Sequence, residues 1–440
     1  MVHYNRVLAV LRIYYPGFLW AMRYTAARQV KNTINLMPAS NICLFFSDTG
    51  GGHRSAALAI AAAIRCVSED LWGREGAEAR INVISDNIIE KSNFINRALV
   101  DFYNFLLRHD QSFMRYYYWL IQNLKPNESS FCCGFIQSYL RKMLRDHAPA
   151  VIISVHPMIN QSIVRSLQEL GLKQKIKFIV VVTDPNDSLW RGWACAEADL
   201  VIVPNEAARG QLITWGVPQQ KIQAIGMPVH PDFLEPPKST RQEFLSNLGL
   251  DPNVLTVCLN AGWAGGGNLT SVYQALHKTD RKIQIIFLCG YHQRFYRKMH
   301  KWLPYGKIPT RVFPFHDNMP DLMNAVDLMV TKAGGLTTFE ALARQLPLAI
   351  DVITEPMPQE AGTISILLQS DLARVVEKPD DIISIVESAQ IREEGKIRDL
   401  PAFQNLNRVN AVYDIARIAL SQIDPSVAMR VSEKEKAKKT

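Results

Sequence analysis

Short apolar runs recur along the chain, each followed by a turn-forming cluster and then by a stretch with helical spacing. Residues 42–46, 81–84, 151–155, 178–182, 200–203 and 222–225 read as strands, with helices expected at 56–64 and 134–147 between them. A second series follows at 254–259, 283–288, 310–313, 328–330 and 348–350. Strands that are apolar on both faces and alternate with helices predict parallel sheets covered on both sides. Between the two series stand Pro231, Pro236, Pro237 and Pro252 around a short polar helix, which reads as a linker. The expected division is therefore a domain at 41–230, a linker at 231–253 and a second domain at 254–400.

Residues 93–124 carry Phe94, Leu99, Phe102, Phe105, Leu106, Phe113, Tyr117, Leu120 and Ile121 at roughly helical spacing. They read as a helical pair whose aromatic stripe is core. Tyr116, Tyr117, Tyr118 and Trp119 in a row cannot all point inward, and the outward ones suit a membrane interface. An amphipathic helix is expected over 401–423, and 426–440 reads as a charged, disordered tail.

The length of 440 residues fits two domains of ordinary size. A formal charge of +8 favours an acidic partner: nucleic acid, an anionic membrane or a phosphorylated substrate. The seven cysteines are scattered without metal spacing, which reads as reduced thiols in a cytosolic compartment. No apolar run is long enough to span a bilayer. Residues 1–40 hold Arg6, Arg12, Arg23, Arg28 and Lys31 among Tyr14, Tyr15, Phe18, Trp20 and Tyr24, with no acid before Asp48. Such a segment can lie in a membrane interface, which is the favoured reading. It also fits an arginine-rich organelle transit peptide or a helix packed on the domain.

Candidate chemistry sits in the turns. Gly50, Gly51, Gly52 and His53 form a strand–glycine turn–helix unit, with the imidazole at the helix mouth. His156 and Asp184 also stand at carboxyl ends of expected strands, where ligands of parallel sheets bind. Residues 260–267, with Gly262, Gly265, Gly266 and Gly267, follow the first strand of the second series, and Gly290 ends the next. Neither glycine loop ends in Gly-Lys-Ser/Thr, so a P-loop is excluded. The dinucleotide fingerprint fails too, because the spacing or the acidic ribose partner is missing. A backbone cradle for a diphosphate or a sugar remains. Lys332, Gly334, Gly335, Thr337 and Glu340 form another turn-and-helix unit, in which a lysine beside a helix N-terminus can hold a diphosphate without metal. Glu340 could accept hydrogen bonds from a ribose diol, and Gln359 with Glu360 suits sugar hydroxyls.

In order and spacing, the segments 47–53, 332–341 and 358–362 resemble the family of UDP-sugar:diacylglycerol glycosyltransferases. That family includes the monogalactosyldiacylglycerol synthases and the processive diacylglycerol glucosyltransferases (glycosyltransferase family 28). The resemblance runs from about residue 41 to about residue 420. It implies the GT-B fold: α/β, with two doubly wound Rossmann-like domains facing a cleft and a C-terminal helix, 401–425, crossing back to the first domain. It implies an inverting, metal-independent transfer of galactose or glucose from a UDP-hexose to diacylglycerol at a membrane surface, on its cytoplasmic face, with no nucleic-acid partner. His53 resembles the general base. Gly50, Gly51, Gly52, His156 and Asp184 would lie on the acceptor side. Gly262, Gly265, Gly266, Gly290, Lys332, Gly334, Gly335, Thr337, Glu340, Gln359 and Glu360 would hold the UDP-sugar. Two positions depart from the family pattern: Ala333 replaces a frequent proline, and residues 184–193 lack a usual histidine. Transfer to a polyprenyl-linked precursor, a UDP-sugar epimerase and a non-catalytic UDP-sugar sensor are the alternatives.

Overall fold

The computed structural model describes residues 39–109, 130–185, 189–263, 265, 267–302, 306–356, 358–392 and 410–427. In β1 (Ser40–Phe46), Ile42, Leu44 and Phe46 enter one core cluster while Cys43 and Phe45 enter another. Both faces of the strand are buried, hence its unbroken apolar run. The chain continues through α1 (Gly52–Trp72), α2 (Arg74–Arg80), β2 (Ile81–Asn87), α3 (Ile88–Ser92), α4 (Phe94–His109) and α5 (Ser130–His147). Then come β3 (Val151–Ser154), α6 (Asn160–Glu169), β4 (Lys177–Val181), β5 (Leu200–Val203), α7 (Glu206–Thr214) and β6 (Ile222–Ala224). The strands pair in parallel in the order β2-β1-β3-β4-β5-β6.

The proline-rich segment contributes α8 (Arg241–Asn247), opened by a capping box between Thr240 and Glu243. Arg241 is buried and pairs with the buried Asp327 at 2.9 Å, which fastens this helix to the second sheet. That sheet is built from β7 (Leu255–Asn260), α9 (Leu269–Leu276), β8 (Ile283–Leu288), α10 (Gln293–Trp302), β9 (Thr310–Phe313), α11 (Met319–Ala325) and β10 (Leu328–Thr331). It closes with α12 (Gly335–Ala343), β11 (Leu348–Asp351), α13 (Pro358–Gln369), β12 (Ala373–Val376) and α14 (Asp381–Ser388). Its order is β12-β11-β10-β7-β8-β9, again all parallel. The last described helix, α15 (Ala411–Ser421), returns to the first domain. There Val412, Ile415 and Ala419 join Ile60 and Ile64 of α1 in one core cluster.

In each sheet the strand order reverses beside the first strand, between β1 and β3 and between β7 and β10. Such switch points open a crevice at the carboxyl ends of the strands.

Three expectations change. Helix α1 runs well beyond residue 64, because Val67 and Ser68 are still buried a turn later and Gly73, at φ 71°, ends it. Strand β12 was not expected: exposed Arg374 interrupts its short apolar run. The aromatic stripe of 93–124 is mostly not core where it is described, although Leu106 is buried. Phe94 is 81% exposed, and Leu99, Phe102 and Phe105 are exposed too. The buried side of α4 carries Val100, Asn104 and Leu106. Phe113 and residues 116–121 lie outside the described residues, as do residues 1–38, most of 401–410 and 428–440.

Candidate active site

The loop after β1 is held from below. Ser47 donates from Oγ to Glu90 Oε1 at 2.7 Å, and the Asp48 amide donates to the same oxygen at 2.6 Å. Asn104 of α4 accepts from the Gly50 amide at 3.2 Å and donates to the Asp48 carbonyl at 3.0 Å. Asp48 also pairs with Arg54 and accepts from Asn87. Burial pushes the Glu90 carboxyl up, against the hydrogen bonds it receives from Ser47 and Asp48. Gly51 sits at φ 81° and caps α1 without a side-chain bond. The first amides of α1 are therefore uncapped by any side chain, and its first turn carries no acid. Neither Glu90 nor Asn104 was singled out in the sequence. Each lies tens of residues from the loop it holds, and only the topology joins them.

His53, on the first turn of α1, meets residues from two other strand ends. Its Nδ1 lies 3.0 Å from Thr183 Oγ1, just past β4. Its ring stands edge-on to His156, after β3, with centroids 4.4 Å apart. His156 Nδ1 accepts from the Met158 amide at 3.3 Å, so Nε2 carries the proton and donates to Thr49 Oγ1 at 2.9 Å. Asp184 accepts from the Trp193 indole at 2.6 Å. Burial lowers the His53 pKa, opposed by Asp184 and by the Val155 backbone. Burial, with the His53 charge, holds His156 well below the usual imidazole range, and burial raises Asp184. Both imidazoles are thus neutral at neutral pH. A proton on Nδ1, directed at Thr183, would leave His53 a lone pair on Nε2.

The opposite wall comes from the second sheet. The Gly262 amide bonds Asn260 Oδ1 at 2.9 Å. Gly290 is packed against the Gly262 and Trp263 carbonyls, so it supports the loop from behind. Gly265 is packed likewise, against Cys289 and His292. Gly266 lies outside the described residues. A side chain at Gly267 would meet Lys332 Cε at 3.0 Å and Asp351 Oδ2 at 3.3 Å, so Lys332 crosses the mouth of α9. Asn268, at the N-cap of α9, spends its side chain on Asp351 and Thr354 and leaves the helix uncapped. Burial lowers the Lys332 pKa, opposed by Glu360 and Asp351.

Gly334 caps α12, again without a side-chain bond, and Gly335 and Thr337 lie in its first turn. Glu340 follows at the end of the next turn. Burial pushes its carboxyl up to about 7, and it makes no hydrogen bond among the described residues. Glu360 stands on the first turn of α13 beside Gln359, whose side chain lies outside the described residues.

The two walls touch. A side chain on Gly51 would meet the Trp263 ring at 2.7 Å, and one on Gly335 would meet Pro185 at 3.1 Å and the Thr183 carbonyl at 3.2 Å. Gly50, Gly51, Gly52, His53, His156 and Asp184 are gathered on one side. Lys332, Gly334, Gly335, Thr337, Glu340 and Glu360 are gathered on the other.

A sequence model of monogalactosyldiacylglycerol (MGDG) synthase matches residues 53–229, and one of the glycosyltransferase family 28 C-terminal domain matches residues 269–360. The chain is thus similar to MGDG synthases over residues 53–229 and to the family 28 C-terminal domain over residues 269–360. It is 28% identical over 398 residues to a probable chloroplastic MGDG synthase of Nicotiana tabacum, covering 87% of this chain and 71% of that protein. It is 28% identical over 356 residues to MGDG synthase 1, chloroplastic, of Arabidopsis thaliana, covering 78% of this chain and 64% of that protein. The chain thus spans somewhat under two thirds of the Arabidopsis relative. Acinetobacter baumannii MurG aligns over 87% of this chain and 99% of its own, with a TM-score of 0.52 and 12% identity. UDP-N-acetylglucosamine 2-epimerase from Rickettsia bellii aligns over 88% and 98%, with a TM-score of 0.53 and 14% identity. These likenesses are of fold alone, and the fold is GT-B. The first family match begins at His53 and includes His156 and Asp184. The second ends at Glu360 and includes Lys332 and Glu340.

Proposed function

We propose that the protein transfers galactose or glucose from a UDP-hexose to the free hydroxyl of diacylglycerol, inverting the anomeric centre, at a membrane surface. The carrying observation is the pairing across one cleft. A neutral imidazole, His53, stands on the part of the chain similar to MGDG synthase, across from Lys332 and two uncapped helix N-termini on the second domain.

In the proposed step, His53 Nε2 takes the proton of the lipid hydroxyl as the oxygen attacks the anomeric carbon. The new carbon–oxygen bond forms opposite the breaking bond to the diphosphate, and UDP leaves with the electron pair. One displacement gives a β-glycoside from an α-linked donor. Lys332 and the amides at the mouths of α9 and α12 take up the charge developing on UDP. They fill the place a divalent cation would otherwise have, so the reaction is read as metal-independent. Glu340 accepts from the ribose hydroxyls, and Gln359 with Glu360 takes the hexose. The MGDG synthase names of the relatives support diacylglycerol as acceptor. The exposed Phe94, Ile95, Leu99 and Phe102 of α4 suit a lipid-facing surface on the acceptor domain. No described helix is long and apolar enough to cross a membrane, and the reading places the protein peripherally.

His53→Ala tests the base. Transfer should fall by about 10²–10⁴-fold, the usual worth of general-base catalysis, while UDP binding by calorimetry stays at the parent value. Near-parental turnover in the variant would remove His53 from the mechanism.

A further inference from the structure

Helix α10 has the sequence Gln-Arg-Phe-Tyr-Arg-Lys-Met-His-Lys-Trp and contains no acid. Arg294, Arg297, Lys298 and Lys301 are spaced i, i+3, i+4, i+7 and form a single stripe. All four are exposed. The opposite side holds the helix to the second sheet: Met299 is buried, and the Phe295 ring packs 5.6 Å from Phe287 of β8. Arg294, Arg297 and Lys301 form no ion pair among the described residues. Just before the helix, Tyr291 is 48% exposed and stacks on Phe315, which is 40% exposed, with centroids 4.4 Å apart and planes 18° from parallel. A cationic stripe beside solvent-facing aromatic rings has the chemistry of an anionic lipid surface: charge for the headgroups, rings for the interface.

The patch is also in the right place. Tyr291 follows the carboxyl end of β8 and packs on Trp263, the ring that rests on Gly51. Its phenol lies within electrostatic range of Arg54, which pairs with Asp48. The far side of that same loop is held by Asn104 of α4, the helix with the exposed apolar residues. The two patches therefore border the His53 loop, one from each domain.

We infer that α10 and the Tyr291–Phe315 pair form a docking face on the donor domain for an anionic bilayer, so that both domains, not the acceptor domain alone, rest on the membrane. The inference rests on the lipid-acceptor reading, in which a bilayer must lie against the mouth of the cleft. Docking through both domains would hold the donor side at the surface where the acceptor is taken up.

The test is co-sedimentation of the full chain with vesicles of phosphatidylcholine alone or mixed with phosphatidylglycerol. The parent should bind the mixed vesicles far better, and salt should weaken that binding. Arg294→Gln/Arg297→Gln/Lys301→Gln should lower partitioning by about 100-fold, taking about fivefold for each basic residue at an anionic surface. UDP binding and transfer to detergent-dispersed diacylglycerol should be unchanged. A charge-matched variant, Lys278→Gln/Lys282→Gln/Lys378→Gln, lowers net charge equally and should stay near the parent. Tyr291→Ser/Phe315→Ser should weaken the part of the binding that survives high salt. Parental vesicle binding by the α10 variant, or an equal loss in the charge-matched one, overturns the assignment. If the parent docks through α10 but transfers no hexose, the function reading fails and the docking face stands. Transfer with α10-independent docking gives the reverse.

Discussion

At the scale of single residues, two titrating groups, one in each domain, carry most of the proposed chemistry. The His53 ring is set by the Thr183 hydroxyl and a neutral His156, and among the described residues Asp184 is the charged group that acts on it. A base works unprotonated, so turnover should rise with pH through a value below 6.5 and then level off. Asp184 favours the imidazolium, and Asp184→Asn should move that acid limb to lower pH; a limb moved upward would count against the pairing. Glu340 titrates differently. Its folded pKa, about 7, lies above the unfolded value, so folding binds its proton more tightly. The stability this confers is present in acid and lost as pH rises through about 7. At pH near 8, Glu340→Gln should therefore raise the melting temperature of the ligand-free protein. It should also weaken UDP binding about 10-fold or more, the worth of a charge-assisted hydrogen bond. The parent's UDP affinity should fall as pH drops below 7, and the variant's should not. Loss of melting temperature together with unchanged affinity would take Glu340 out of the donor site. The candidates His53, Lys332 and Glu340 were legible because each stood in a unit built on a glycine turn, and His156 and Asp184 because each ended an apolar run. Glu90, Thr183, Asn104 and Asp351 were not, because a polar residue that holds another loop leaves no local pattern.

Among elements, the strands were the most legible. A strand buried on both faces is an unbroken apolar run, and residues 200–203, 283–288 and 310–313 form strands over the expected residues. The edge strand β12 escaped notice because an exposed arginine divides it. Helix α4 was misread because aromatic spacing alone does not say which side faces the core. Its inner face is organised by Asn104, a polar residue that holds the His53 loop. The glycine turns carry tighter demands than their sequences announce. Gly51 has a left-handed backbone and no room for a Cβ beneath Trp263. Gly51→Ala combines a φ penalty of about 1 kcal/mol with a clash across the cleft. Transfer should drop by about 10-fold or more, with UDP affinity falling less, because the strained backbone is in the His53 loop and the donor loop meets the new methyl only through the Trp263 ring. An equal loss in UDP affinity would mean that the two loops do not act separately.

For the whole molecule, two parallel sheets turn their switch points toward one another, and the loops at those points bear the candidate chemistry. Two domains with a proline-rich stretch between them could be read from the apolar runs. The contacts that join them could not: Trp263 on Gly51 and Gly335 against Pro185 and Thr183 link residues far apart in the chain, as does Arg241 on Asp327, which ties the proline-rich stretch to the second sheet. The fold is shared with MurG and with UDP-N-acetylglucosamine 2-epimerases, so it does not choose the reaction. That choice rests on the family matches and on the proposed roles of His53, Lys332 and Glu340. One measurement decides it most directly: the purified protein and its His53→Ala variant, each incubated with labelled UDP-galactose, UDP-glucose or UDP-N-acetylglucosamine, with and without vesicles containing diacylglycerol. The predicted result is a labelled β-hexosyldiacylglycerol from galactose or glucose, only when the lipid is present and only with the parent. Conversion of the UDP-sugar without lipid, or label on no lipid at all, would contradict it.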